Sequence, residues 1–326
     1  MNAYDFDKTI YDGDSTADFY FYCLLHQPQI LLWLPYQAWS FFLYVVGFYT
    51  KTQFKERFYK FFKSVKDIEQ TVEKFWDKNI SGIKSWYLEN SRDDDIIISA
   101  SPEFLLRPAC ERLKIKNLIA SRVNLHDGKY TGLNCYGEEK VARFFEAMPN
   151  AEYECFYSDS LSDEPLALLA KKEKYIVEGD KLIPWNDYKI SGIKKLRKMI
   201  FSIEFLSFLA VGVVNTFNGV LFAYIYSLIP FFNAIIAFDA GYITALTVSY
   251  FLNTYITFKN KPNFIKYVKF AVSYIPNFII QNIVVVVMYN LLNLHKLISY
   301  ALAAIIGMPL TFLLMKIFVF KSNQRS

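Results

Sequence analysis

The chain has 326 residues, enough for two domains, with 53% apolar residues and a net charge of +5. That charge is too small for a typical nucleic-acid binder, and the four cysteines and three histidines lack the spacing of a zinc site or a disulfide framework. Charged residues make up 21% of the chain, but residues 200–258 carry only Glu204 and Asp239, so a polar part is joined to a membrane part.

Residues 1–190 are predicted to form an α/β domain. Short apolar segments alternate with helical stretches, and this alternation is typical of a Rossmann-like parallel sheet covered by helices. The predicted strand segments are AYDF (3–6), DIIISA (95–100), NLIASRV (117–123), YECFYSD (153–159) and KYIVEG (174–179). LHDGKYTG (125–132) is predicted to be a hairpin, because Asp-Gly forms a tight turn.

A helical cap is predicted at about residues 14–92, inserted after the first strand. Within it, residues 30–49 form an uncharged run long enough to cross a bilayer. A single crossing would separate the first strand from the strands that must pair with it. We therefore expect this run to lie in the membrane interface, to enter and return, or to pack in the cap core.

The next segment, residues 51–66, has the pattern of an amphipathic helix. Its apolar residues fall on one face, and lysine and arginine surround them. This pattern favours contact with anionic lipid, and the alternative is a solvated helix on the cap. The residues of that face are Phe54, Phe58, Phe61, Phe62 and Val65.

The C-terminal part is predicted to be an all-α transmembrane domain of four helices at residues 203–322, after a basic linker at 191–202. The apolar segments are 203–226, 232–257, 267–292 and 297–320. Lysine and arginine cluster at one side, at residues 194–198, 259–269 and 321–325, which predicts a multi-pass protein of the cell membrane with both termini and the first domain in the cytoplasm.

Two two-helix repeats are predicted in this domain. A shift of 62 residues places Phe208 on Phe270, Asn215 on Asn277 and Phe258 on Phe320. It also places Lys259 on Lys321. Repeats of this kind are common in transporters.

Carboxylates and their partners occur where predicted strands end. Asp5 and Asp7 follow the first strand, and ligands of open parallel sheets bind beyond such ends. Ser99 ends a second strand, and Lys140 stands at a helix start. Asp159 and Asp163 follow a further strand and add oxygen ligands suited to Mg²⁺.

The motifs DFDKT, IIIS, the Lys140 segment and SDSLSD, in this order over residues 1–185, resemble the haloacid dehalogenase superfamily of phosphatases, most closely its phosphoserine-phosphatase-like branch. The resemblance implies that Asp5 is the nucleophile and forms an aspartyl-phosphate, and that Asp7 is the acid and base. It implies that Mg²⁺ is held by Asp5, the Asp7 carbonyl and Asp159, with support from Asp163.

The same resemblance assigns phosphate binding to four residues, which are Thr9, Ser99, Ala100 and Lys140. Ser99 and Lys140 are also expected to stabilise the intermediate, and Thr9 to brace the loop. An inactive, diverged domain is the alternative, but every motif residue is present.

The segments FLAVGVVNTFNGVL and SYFLNTYITFK, with the four predicted spans, resemble the GtrA family over about residues 203–322. Members of that family are thought to move polyprenyl-phosphate-linked sugars. Polar residues at bilayer depth could line a path for a lipid head group or form helix–helix hydrogen bonds. The candidates are Asn215, Asp239, Asn253, Asn277 and Gln281. The second predicted repeat has Met315 in the position of Asn253.

The sequence thus predicts a Mg²⁺-dependent phosphatase acting at the cytoplasmic leaflet on a lipid-linked phosphate, fused to a flippase-like domain for the polyprenyl-phosphate-linked product. One alternative is a phosphatase for small soluble phosphomonoesters whose membrane domain is an anchor or a separate activity. Another is a transporter of lipid-linked sugars with a regulatory phosphatase-like domain. The expected partners are the lipid substrate and the bilayer, with no nucleic acid, and four spans are compatible with a homodimer.

Overall fold

The computed structural model describes residues 1–320, and the chain divides into two units. The first unit contains Met1–Phe41 and Thr50–Lys189. The second contains Phe42–Tyr49 and the chain from Ile190 onward. Lys321 and Arg325, which support the predicted sidedness, lie outside the described residues.

A six-stranded sheet forms the centre of the first unit. Its strands are β1 (Ala3–Tyr4), β2 (Ile96–Pro102), β3 (Asn117–Ser121), β4 (Cys155–Ser158), β5 (Glu173–Glu178) and β6 (Lys181–Pro184). The strand order is β3-β2-β1-β4-β5-β6. The predicted parallel sheet is confirmed for β1 to β5, with Tyr4 aligned with Ile97 on one side and Tyr157 on the other.

Two details of the sheet differ from the prediction. β6 was not predicted, and it pairs antiparallel with β5 at the edge of the sheet. The predicted hairpin at residues 125–132 is reduced to one antiparallel bridge between Val123 and Tyr130. The turn itself is present, since Gly128 has a φ of +73° and its amide donates to the carbonyl of Asn124.

Eight α-helices accompany the sheet in the chain up to residue 189. They are α1 (Ser15–His26), α2 (Leu34–Val45), α3 (Lys51–Phe58), α4 (Ile68–Asn79), α5 (Ser85–Asn90), α6 (Glu103–Arg112), α7 (Glu138–Ala147) and α8 (Glu164–Ala167). Short 3₁₀ segments occur at Pro28–Trp33, Tyr59–Ser64, Ile80–Gly82 and Leu161–Asp163. α1 to α5 lie between β1 and β2 in the chain, so the helical cap is inserted after the first strand, as predicted.

The amphipathic segment 51–66 is divided in the structure. α3 starts with a capping box, in which the Thr50 hydroxyl accepts from the Gln53 amide and the Gln53 side chain accepts from the Thr50 amide. The following 3₁₀ turn places Phe61, Phe62 and Val65 in the core of the first unit. These three residues are covered by protein, so the expected lipid contact is wrong for them, whereas Phe54 and Phe58 are half-buried.

The uncharged run at residues 30–49 does not form one long helix. It contains the end of the 3₁₀ segment Pro28–Trp33 and then α2, whose 12 residues span about 18 Å. That length is well short of the ~30 Å hydrocarbon core of a bilayer.

The second unit is helical in its described part. Its helices are α9 (Gly192–Ile200), α10 (Ile203–Ser227), α11 (Ala234–Leu252), α12 (Phe264–Val272), α13 (Tyr274–Val285) and α14 (Lys296–Leu314). π-helical segments extend α11, α13 and α14 at Asn253–Thr257, Val286–Leu291 and Met315–Val319.

Three continuous helical stretches within residues 1–320 are long and apolar enough to cross a membrane. They are Ile203–Ser227, Ala234–Thr257 and Phe264–Leu291. The apolar stretch Ile305–Val319 is shorter, so a fourth span and the repeat stay predictions. Lys316, which lies in this shorter stretch, forms an ion pair with Glu204.

Candidate active site

A cavity of about 420 Å³ opens at the carboxyl edge of the sheet. Asp5 follows β1, Ser99 lies in β2, and Asp159 follows β4, so three adjacent strands deliver these side chains to one place. α7 adds Lys140 to the same wall. Gly137 precedes α7 with a φ of +61°, a backbone conformation that favours glycine and sets the start of this helix.

Lys140 is the charged centre of the cavity. Its side chain is 3% exposed, and its Nζ donates to Asp5 Oδ1 at 2.7 Å and to Asp163 Oδ2 at 2.8 Å. The Ser158 hydroxyl also donates to Asp163 Oδ2, at 2.8 Å. One ammonium group therefore fixes two carboxylates that come from different segments of the chain.

The pKa values reflect crowding of negative charge around this lysine. Burial raises the pKa of Asp5, Lys140 opposes that shift, and Asp163 and Asp159 increase it further. Burial alone would lower the pKa of Lys140, but Asp5 and Asp163 raise it above its usual value. Lys140 is thus cationic at neutral pH, and it does not neutralise all the carboxylates near it.

Asp7 is held by two donors. The Ser15 amide donates to its Oδ1 at 2.7 Å, and the Ser101 hydroxyl donates to its Oδ2 at 2.5 Å. Burial, followed by the nearby charge of Asp14, raises the pKa of Asp7 to about 6. A carboxyl group with this pKa can give up and take back a proton near neutral pH. Ser101 was not among the predicted site residues.

Thr9 occupies a bracing position and does not lie on the cavity wall. It is fully buried, and its hydroxyl accepts from the Asp159 amide at 2.9 Å. The contact joins the loop after β1 to the loop after β4. Burial raises the pKa of Asp159, and Lys8 opposes that shift.

Ser99 and Ala100 lie on the cavity wall, in β2, the strand that pairs with β1. The Ser99 hydroxyl accepts from the Ser101 amide at 3.2 Å, and the Ala100 carbonyl accepts from the Ser121 hydroxyl at 3.0 Å. These bonds fix the end of β2, where the sheet register between β2 and β3 also shifts.

The cap contributes part of the wall that the sequence did not predict. Lys51, Phe54, Lys55 and Phe58 of α3 line the cavity, together with Tyr136 from the loop before α7. The period of the amphipathic helix was the available signal, since Lys51, Lys55 and Phe58 are spaced by three and four residues and share a face.

The cavity has the donor chemistry for a hard cation such as Mg²⁺. Asp5 and Asp159 offer carboxylate oxygens, and Mg²⁺ is usually bound by one or two carboxylates together with substrate phosphates. Within residues 1–320 no group of three or more histidine, cysteine, aspartate or glutamate side chains has the arrangement of a metal site. Asp163, predicted as a further ligand, is bonded to Lys140.

The polar candidates of the second unit have different surroundings. Asn215 lies on the wall of a cavity of about 410 Å³ between α10 and α11. Oδ1 of Asn215, Asn253 and Asn277 is buried without a hydrogen-bond partner in the described part of the chain. Gln281 and Asn277 both lie close to Gly307 of α14.

Asp239 is the remaining polar candidate of the second unit. It is exposed on α11, five residues after the start of that helix, and it is not on the wall of the cavity that contains Asn215.

Comparisons with known proteins match both parts of the chain. Residues 3–168 match the haloacid dehalogenase-like hydrolase family, and residues 207–320 match the GtrA/DPMS transmembrane domain. Two Mycobacterium tuberculosis proteins, one described as a probable phosphatase and one as uncharacterized, are each 36% identical over 80 residues. That alignment covers 22% of this chain and only 28% of each relative.

Two solved structures are similar to this chain. A Bordetella pertussis protein of unknown function has a TM-score of 0.42 and 23% identity, covering 51% of this chain and 84% of its own. A phosphoserine phosphohydrolase-like protein from Francisella tularensis has a TM-score of 0.36 and 18% identity, covering 54% and 85%. The family match over residues 3–168 spans half of the chain, and the chain therefore belongs to the haloacid dehalogenase-like hydrolases, with a GtrA/DPMS transmembrane domain following in the same protein.

Proposed function

We propose that this protein is a Mg²⁺-dependent phosphatase that hydrolyses a lipid-linked phosphomonoester through an aspartyl-phosphate on Asp5. The observation that carries the proposal is the placement of Asp5, Asp7, Lys140 and Asp159 around one cavity. The family match supports the reaction class, since it covers all of these residues.

The first step is attack by Asp5 on the phosphorus atom. Lys140 holds Oδ1 of Asp5, which leaves Oδ2 as the attacking oxygen. As the new O–P bond forms, the bond from phosphorus to the leaving oxygen breaks, and Asp7 gives its proton to that oxygen. Ser101 and Ser15 keep the Asp7 carboxyl in place for this transfer.

The second step is hydrolysis of the aspartyl-phosphate. Asp7 is now a carboxylate and takes a proton from water, whose oxygen attacks phosphorus and releases inorganic phosphate from Asp5. Ser99 and Lys140 bind the phosphoryl oxygens in both steps. Asp5, Asp159 and the Asp7 carbonyl would hold Mg²⁺, which when bound neutralises charge on the phosphate oxygens.

A lipid substrate is supported by the apolar surface of the cap. Leu25, Leu31 and Leu32 are 82%, 48% and 83% exposed near the end of α1 and in the 3₁₀ segment that follows. Exposed apolar groups that are clustered in this way are typical of a membrane or protein contact site. The transmembrane domain in the same chain favours the membrane.

For the second unit we propose four spans built from two two-helix repeats. Some residues related by the 62-residue shift share structural features. The π-helical segments begin at Asn253 and Met315, and Asn215 and Asn277 both have an unpartnered buried Oδ1. Phe258 and Phe320 stack with ring centroids 4.4 Å apart.

The proposed role of this unit is to translocate the polyprenyl-phosphate-linked product of the phosphatase. The cavity between α10 and α11 supports it, because a mostly apolar wall with a few polar groups is typical of a ligand site. Asn215 lines this cavity, and its buried Oδ1 has no hydrogen-bond partner in the described part of the chain. In the proposed topology the phosphatase domain and both termini are cytoplasmic, in agreement with the basic α9.

The proposal is tested by lipid analysis of cells that express the wild-type protein, Asp5→Asn or Asp12→Asn. Asp12 is exposed in the same loop and serves as the matched control. We expect a phosphorylated lipid to accumulate with Asp5→Asn alone, and chelation of Mg²⁺ to stop its hydrolysis by purified wild-type protein. Accumulation of water-soluble phosphomonoesters only would overturn the lipid assignment, and equal lipid profiles in all three would overturn the role of Asp5.

A further inference from the structure

α3 of the cap places two lysines on the wall of the catalytic cavity. Lys51 and Lys55 are separated by one helical turn and both line this cavity, with Phe54 and Phe58 beside them. The proposed chemistry uses neither lysine, since Lys140 contacts Asp5 directly. Two cations that face a substrate cavity without a catalytic role are candidates for specificity.

Lys55 is half-buried and has little to neutralise it. Its Nζ donates to the Ala100 carbonyl at 3.4 Å, and within residues 1–320 it has no carboxylate partner within 4.0 Å. Burial, with the charge of Lys51 added, lowers the pKa of Lys55 to about 8, and Asp14 and Asp7 oppose that shift. An incompletely compensated cation in a cavity is stabilised when an anion binds.

Lys55 lines the same cavity as Asp7, the proposed acid of the reaction. The carboxylates that influence Lys55 are Asp14 and Asp7, and Asp7 is the residue that protonates the leaving oxygen. Lys140 bonds to Asp5 and Asp163, and the proposed chemistry assigns Lys140 and Ser99 to the oxygens of the transferred phosphoryl group. Because the phosphoryl oxygens already have these partners, an anion at Lys55 is assigned to the leaving group.

Lys51 extends the same cationic face towards solvent. It is exposed, and its Nζ lies 4.1 Å from the ring centroid of Tyr136, a cation–π distance. Like charges one turn apart on a helix repel each other, and a bound anion relieves that repulsion.

We propose that the substrate is a phosphomonoester whose leaving group carries a second, phosphodiester-type anion, bound by Lys55 with Lys51 at the mouth of the cavity. This inference rests on the proposed phosphatase function and narrows its substrate class. A lysine ammonium is a point charge suited to a phosphodiester oxygen. A diester anion is also the group that would join a hydrolysable phosphate to a lipid.

The test compares two soluble probes with the full-length protein in detergent and Mg²⁺. One probe is 3-hydroxypropyl phosphate, and the other is the same ester with its hydroxyl converted into a methyl phosphodiester. Each has a single hydrolysable phosphomonoester, so the ratio of their kcat/KM values reports the second anion alone. We expect the kcat/KM of the wild type to be about tenfold or more higher for the diester probe, because this probe gains a hydrogen bond to a charged group.

Three variants locate the effect. Lys55→Met should bring the ratio close to one, and Lys51→Met should lower it by a smaller factor. Lys63→Met, which removes an exposed cap lysine that does not line the catalytic cavity, should leave the ratio unchanged. Because Lys51 is exposed, Lys51→Met is informative even if Lys55→Met does not fold.

The outcomes separate this inference from the proposed function. If the wild type hydrolyses both probes with a ratio near one, or if neither Lys55→Met nor Lys51→Met lowers the ratio, the second-anion site is wrong while the phosphatase assignment stands. If the wild type hydrolyses neither probe and no lipid phosphomonoester, the proposed function itself is wrong. A third probe carries a short-chain glycerolipid in place of the methyl group of the diester. A higher kcat/KM for this probe than for the methyl diester would identify a lipid head group as the source of the second anion.

Discussion

The Nζ of Lys140 lies 2.7 Å from Oδ1 of Asp5, although 135 residues separate the two in the sequence. The same ammonium bonds to Asp163, so one buried cation joins the loop after β1, the first turn of α7 and the segment after β4. The contact determines which oxygen of Asp5 remains available to substrate. Structure and proposed reaction therefore depend on the same side chain.

Lys140→Met should abolish phosphate release and destabilise the first unit. It leaves Asp5 and Asp163 buried without their cation, and breaking such a pair costs about 3–5 kcal/mol in the free energy of unfolding. Thermal unfolding and phosphate release measure the two effects. Lys171→Met removes an exposed pair with Glu152 and should change neither. An active and equally stable Lys140→Met protein would contradict the assignment.

Ser101→Ala should lower kcat by about tenfold with little change in KM. The Ser101 hydroxyl donates to Asp7 Oδ2 at 2.5 Å and thereby positions the acid, and one such hydrogen bond to a charged group is worth about 1.5 kcal/mol. Ser101→Thr keeps the hydroxyl and should restore activity, which a purely structural loss would not do. A change confined to KM would show that Ser101 acts on substrate binding instead.

The preference for a substrate with a second anion should depend on pH through Lys55. Its pKa is lowered to about 8, so the ammonium is charged below that pH and neutral above it. The ratio of kcat/KM for the diester probe to kcat/KM for the hydroxyl probe should therefore be highest near pH 7 and fall as the pH rises through about 8. Lys55→Arg, whose guanidinium stays protonated, should keep the preference at pH 9. A wild-type ratio that stays constant over this range would contradict the role of Lys55.

Gly241→Ala should weaken the pairing of α10 with α11. A Cβ at this position would lie 2.5 Å from the backbone nitrogen and 2.6 Å from Cα of Ala223, and such overpacking costs about 1–3 kcal/mol. Gly212→Ala on α10 has open space around it and should be neutral or slightly stabilising. Far-UV circular dichroism during thermal unfolding measures both variants. Equal midpoints for Gly241→Ala and the wild type would refute the close packing.

The parallel sheet could be predicted from the sequence, and several candidate site residues directly follow its apolar segments. Asp5, Ser99 and Asp159 all stand at carboxyl ends of strands, and parallel pairing brings these ends together. Ser101 could have been found as well, since it is two residues from Ser99 and strand side chains alternate. β6 was missed because four residues that end in Pro184 give too short a pattern.

The cap was less predictable than the sheet. Both lipid and a protein core favour the same apolar helix face, so the pattern of residues 51–66 could not distinguish them, and the core contains Phe61 and Phe62. The sequence predicts only that Lys55 is one of the charged residues around the apolar face of that helix. Its position in the cavity depends on how α3 packs against the sheet edge, which periodicity alone does not specify.

In the proposed reaction Asp5 forms a covalent bond to phosphorus. The most direct measurement is acid quenching of the full-length protein during turnover of the diester probe, followed by mass spectrometry of its peptides. We expect a phosphoryl group on Asp5 in the wild type and in Asp12→Asn, and none in Asp5→Asn, which releases no phosphate. Phosphate release by Asp5→Asn at the wild-type rate, or a phosphoryl group on another residue, would contradict it.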